Sequence, residues 1–146
     1  MFDAAKHQVI LAEKSDYSRM AIIGYCFGGA QALNMARLSS DFKGVVSFHG
    51  NLKTGIRAKN NKVKYLVLNG AADNFVPKEE IAAFKKEMDS AKIDYKFVDY
   101  PNVLHAFTNP DATATGKKFN LPIAYNKEAD EKSWQEMKTF LAGILK

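Results

Sequence analysis

Three side chains in this sequence combine into a set that does acyl-transfer chemistry. The first is Cys26, the single cysteine of the 146 residues. It stands in Gly24-Tyr25-Cys26-Phe27-Gly28-Gly29, a glycine-flanked nucleophile pattern with Cys where a Ser is usual. A thiol raised on a sharp turn can attack a carbonyl carbon. The backbone N–H of Phe27, at the start of a helix, would face the oxyanion that develops. An inert core thiol accounts for the same residues, because a lone Cys in an apolar segment is usually buried and unreactive. The second side chain is Asp73 in "NGAADNFVP", which taken alone reads as a turn or helix-capping Asp. The third is His105 in "YPNVLHAFTNP", which taken alone reads as a satisfied core imidazole. Together, and in the order nucleophile, acid, histidine, they read as chemistry.

The elements that must position these residues follow from hydrophobic periodicity. "YSRMAIIGY", "GVVSFHG", "KVKYLVLNG" and "DYKFVDYP" are short apolar or alternating runs bounded by turn residues, and each predicts a strand. "GGAQALNMARLS" predicts a helix with small residues in its first turn. "PKEEIAAFKKEMDSAKI" predicts an amphipathic helix with the stripe Ile81, Phe84, Met88 and Ala91. "EADEKSWQEMKTFLAGILK" predicts a closing helix with Trp134, Met137, Leu141, Ile144 and Leu145 on one face, Trp134 in the core. A further helical piece is expected over 3–12, with His7 at the surface. Strands alternating with helices predict an α/β fold, with a parallel sheet of about four strands and helices on both faces. Sites in such sheets gather beyond the carboxyl ends of the strands. Cys26, Asp73 and His105 each follow a strand of their own, in the chain order of an α/β-hydrolase triad. The glycines fit the turn: Gly24 and Gly28 leave room where side chains would collide, and Gly29 lets the helix pack close.

Composition narrows the classes. Hydrophobic content of 47% and charged content of 25% describe one globular domain over residues 1–146. The net charge is +5, but the basic residues are scattered. The denser stretch Lys59 to Lys64 reads as a solvated loop, so no nucleic-acid partner is expected. No apolar run is long enough for a signal or a membrane span. A single Cys excludes an internal disulfide, which fits a reducing, cytoplasmic setting or simply a fold that needs no bridge. One Cys and three separated His exclude zinc-ligand spacing, so no metal is expected.

"IGYCFGG", "NGAADNFVP", "LHAFTNPDA" and the tail "KKFNLPIAYNKEADEKSWQEMKTFL" resemble the dienelactone hydrolase family over nearly the whole chain. The resemblance implies hydrolysis of a small ester or lactone through a Cys-His-Asp triad and a thioester, without a cofactor. By that likeness Cys26 is the nucleophile, His105 the base and then the acid, and Asp73 the group that orients His105. Phe27 is expected to supply an oxyanion-hole N–H and Tyr25, His49 and Phe107 to line the substrate site; packing accounts equally well for Tyr25 and Phe27, and a structural role would account for His49. The arginine that family members carry a few residues after the His has no counterpart in Ala106-Phe107-Thr108-Asn109. The resemblance also implies that this chain is the C-terminal part of the fold and lacks the family's N-terminal strands. The strand Met20–Gly24 would then be a bare sheet edge, ready to pair with a second copy or with a missing N-terminal segment. The alternative function is therefore a catalytically incomplete half-domain that self-associates or complements that missing part.

Overall fold

The structure, a computed structural model, describes Gln8, Leu11 and residues 16–38, 41–59 and 62–146. The helix expected over 3–12 lies, apart from Gln8 and Leu11, outside the described residues, as does His7. After a short 3-10 turn at Tyr17–Arg19, four strands follow: β1 (Ala21–Tyr25), β2 (Gly44–Phe48), β3 (Lys64–Gly70) and β4 (Tyr95–Tyr100). Four helices are interspersed: α1 (Phe27–Leu38), α2 (Lys78–Ser90), α3 (Ala112–Phe119) and α4 (Lys127–Ile144). The strands form one parallel sheet in the order β1-β2-β3-β4.

That order explains the layering. Successive parallel strands laid down in one direction, with right-handed crossovers, put every crossover on the same face. The first face is therefore covered by α1, by the connection between β2 and β3, which has no helix among its described residues, and by α2. Its core joins Leu33 and Ala36 to Leu52, Val63, Phe84 and Met88. The chain then turns onto the second face, where Val46, Phe48, Leu66 and Leu68 pack with Phe107, Ala129 and Met137. Strands buried on both faces have no polar side to show. This is why β2 is apolar apart from Ser47, and why β3 is buried from Tyr65 to Gly70.

Three expectations change. Trp134 is 50% exposed rather than in the core. The buried side of α4 is set by Ala129, Ser133 and Met137, spaced four apart, and Trp134 lies one residue, about 100° of helix, away from Ser133. Helix α3 was not expected. Its sequence "ATATGKKF" carries no apolar stripe, and it is held by tertiary contacts such as Tyr125 N–H donating to Thr113 Oγ1 at 3.0 Å. Gly28 has no steric reason to be glycine, because a Cβ there would meet nothing within 4 Å.

Candidate active site

The turn after β1 is built by backbone bonds and two glycines. Cys26 N–H donates to Phe48 O at 2.9 Å, and Ala30 N–H donates to Cys26 O at 3.1 Å. Cys26 itself sits at φ 53°, a left-handed backbone that a non-glycine residue adopts only when its surroundings enforce it. A side chain at position 24 would run into the Gly28 carbonyl, and one at 29 would lie 2.6 Å from Ser47 Oγ. These two glycines let the helix start directly over the strand end. Helix α1 begins at Phe27, so the N–H groups of its first turn have no acceptor within the helix.

The turns after β3 and β4 meet this one. Asp73 N–H donates to Gly70 O at 3.0 Å, closing a tight turn. Asp73 Oδ1 accepts from Phe75 N–H at 2.8 Å. Its other oxygen, Oδ2, accepts from His105 Nδ1 at 2.8 Å. His105 Nε2 lies 3.2 Å from Cys26 Sγ. The three side chains, 79 residues apart at their extremes, form one continuous hydrogen-bonded line. Asn51 Nδ2 donates to Phe75 O at 2.7 Å, which ties the Asp73 turn to the chain leaving β2. The His105 strand end is pinned by Ala124 N–H to His105 O at 3.2 Å and by Asn126 N–H to Phe107 O at 3.0 Å.

Burial presses the His105 proton affinity down. The hydrogen bonds to Asp73 and to Cys26, with the charges behind them, outweigh it and raise the pKa above the ordinary 6.5. His49 goes the other way. Burial, then the neighbouring His105 charge, push its pKa down to about 4, against a smaller opposing pull from Asp73. Near neutral pH His49 is an uncharged imidazole.

The residues expected to line a substrate site separate. Tyr25 is 41% exposed beside Cys26 and stacks on Phe48 with ring centroids 4.4 Å apart. Phe107 is fully buried and offers a ligand no surface; it belongs to the core of the second face. His49 is only 4% exposed. It follows β2 directly and turns inward against His105 and Phe107. Phe75 was not singled out in the sequence, yet its partly exposed ring packs edge-on against His105 at 5.0 Å. No periodicity marks it, since it lies in a turn. Among the described residues no group of three or more His, Cys, Asp or Glu is placed to hold a metal ion. No helix among them is long and apolar enough to cross a membrane.

The sequence profile of the dienelactone hydrolase family matches residues 2–145. The chain belongs to that family. An uncharacterised protein of Caenorhabditis elegans is 30% identical over 132 residues, 86% of this chain and 80% of that protein. A putative carboxymethylenebutenolidase of Escherichia coli K12 is 26% identical, over 84% of this chain and 45% of its own length. Among solved structures, a dienelactone hydrolase-like promiscuous phosphotriesterase from metagenomic libraries superposes with a TM-score of 0.86 at 29% identity. That match covers 99% of this chain and 60% of the neighbour. The dienelactone hydrolase fold seen here thus spans about half the length of the carboxymethylenebutenolidase relative.

Proposed function

We propose that the chain hydrolyses a small carboxylic ester or lactone through a thioester on Cys26. The observation that carries this reading is the unbroken line Asp73–His105–Cys26, with bonds of 2.8 and 3.2 Å. His105 Nε2 takes the thiol proton as sulfur attacks the acyl carbon, and Asp73 holds the imidazole in the tautomer that can accept it. The tetrahedral oxyanion is met by the Phe27 N–H at the helix start. The C–O bond then breaks, and the proton on His105 goes to the leaving alkoxide. Water attacks the thioester next, with His105 again taking the proton and returning it to the departing thiolate. Tyr25 borders the substrate. The E. coli relative's name and the family point to a lactone or ester rather than to another acyl compound.

Hydrolysis of p-nitrophenyl acetate tests the reading. Cys26→Ala should lower turnover by at least about 10⁴-fold. The native chain, quenched in acid soon after exposure to the same ester, should carry an acetyl group on Cys26 visible in the intact mass. A Cys26→Ala chain that keeps a tenth of the native rate would sink the proposal.

A second reading is favoured by β1, which pairs with β2 and with no other strand among the described residues. In this reading the free edge of β1 joins a second copy of the chain, and the site works within that assembly.

A further inference from the structure

His49 has no assigned part in the reaction just described, yet its placement is costly. It holds a left-handed backbone at φ 39°. Its Nδ1 is buried and reaches no hydrogen-bond partner outside its own residue. A buried polar atom left unpaired lowers stability, so an apolar ring would serve the fold better at this position. What the imidazole does offer is one bond, from Nε2 to Thr108 Oγ1 at 2.9 Å. Thr108 lies three residues beyond His105, in the turn that contains Ala106 at φ 58°. That turn is a strained one for a residue with a Cβ, and it stays in place only if several contacts hold it. Two backbone bonds hold it from the 124–126 side. The bond from His49 holds it from the end of β2, reaching across β3. The His49 ring also packs edge-on against His105, with centroids 4.9 Å apart and planes at 67°.

We infer that His49 is a positioning residue for the hydrolytic site: through Thr108 and through ring contact it fixes the turn that aims His105 Nε2 at Cys26 Sγ. The inference rests on the thioester reading above. It differs from simple core packing in what it predicts. Replacing His49 by Phe keeps the ring contacts and removes the orphaned nitrogen. The fold should be no less stable, while the His105–Cys26 alignment loosens.

Cys26 is the single thiol of the chain, so its alkylation by iodoacetamide at pH 7, followed by intact mass, reports that alignment without requiring turnover. His49→Phe and Thr108→Val should each slow alkylation by roughly tenfold, the effect of losing one hydrogen bond. His49→Phe should leave the midpoint of thermal unfolding unchanged or higher, whereas Thr108→Val, which leaves both ring nitrogens of His49 without a side-chain partner, should lower it. Since both remove the same bond, the double variant should be no slower than the slower single variant. Native alkylation rates in Thr108→Val, or a double variant in which the two effects multiply, would overturn the inference even if His49→Phe failed to fold. His105→Ala separates the two levels of the argument. If it leaves alkylation at the native rate, the thioester reading falls and this inference falls with it. If it slows alkylation while both the His49 and Thr108 variants do not, only this inference falls.

Discussion

Cys26, His49 and Ala106 hold φ values of 53°, 39° and 58°, and all three border the Asp73–His105–Cys26 line. Non-glycine residues in this region cost about 1–3 kcal/mol each and persist where surrounding contacts enforce them. Cys26, His49 and Ala106 are three of the six non-glycine residues with positive φ among the described residues, the others being Lys92, Asn102 and Asn120. His49 adds a pH dependence. Its folded pKa of about 4 lies below the ordinary 6.5, so between those values the unfolded chain binds the proton more readily. The stability it supports is complete above pH 6.5 and is lost as pH falls toward 4. His105 has the opposite sign: its raised pKa contributes stability below its ordinary value, and that contribution fades as pH rises through the folded value. Denaturant unfolding at pH 7.5 and 4.5 should show the native chain losing about 2–3 kcal/mol more than His49→Phe. Equal losses in the two proteins would contradict it.

At the scale of elements, the crossover from β2 to β3 has no helix among its described residues, and charge takes a helix's place. Arg37, on α1, gives Nε to Glu87 Oε1 at 2.9 Å and another guanidinium N–H to Leu52 O at 3.1 Å. Glu87 on α2 also accepts from Ala58 N–H at 2.7 Å, while Glu80 accepts from Leu52 and Lys53 N–H. Two carboxylates thus satisfy backbone donors that a helix would have paired internally. The Arg37 guanidinium is buried and lies 5.6 Å from the Phe84 ring centroid. Arg37→Ala should destabilise the fold by about 3 kcal/mol, because it leaves Leu52 O and the Glu87 carboxylate without their partner. A loss below about 1 kcal/mol in chemical denaturation would show that water replaces the guanidinium at little cost. Asn51, the residue immediately before this clamp, also fixes the turn carrying Asp73. The crossover therefore contributes to the site as well as to the core.

Across the whole molecule, the sheet has two different edges. β4 leaves Lys96 and Asp99 exposed at its edge, charges that discourage pairing with another chain. β1, "AIIGY", carries neither charge nor Pro, and Ile23 and Tyr25 are exposed on it. Pairing of β1 with β1 of a second copy is the proposal that follows. Sedimentation at micromolar concentration should find a dimer in the native chain and a monomer in Ile23→Lys. A native monomer would refute the pairing. A dimer unaffected by Ile23→Lys would move the interface elsewhere.

Sequence alone determined the α/β class, the parallel sheet and α1, α2 and α4 among the described residues, because hydrophobic period and glycine placement are local signals. It also picked out Cys26, Asp73 and His105, since their order along the chain follows the order of strand ends. It did not distinguish Phe107 in the core from Tyr25 at the surface, nor place Trp134 outside. Those outcomes depend on which way a turn rotates its side chains and where α4 meets the sheet. Helix α3 carries no stripe to read. The meeting of His49 with Thr108, 59 residues apart, was likewise decided only in the tertiary structure. Neither residue carries a local mark of the other, and their bond exists because the ends of β2 and β4 converge beyond the same sheet.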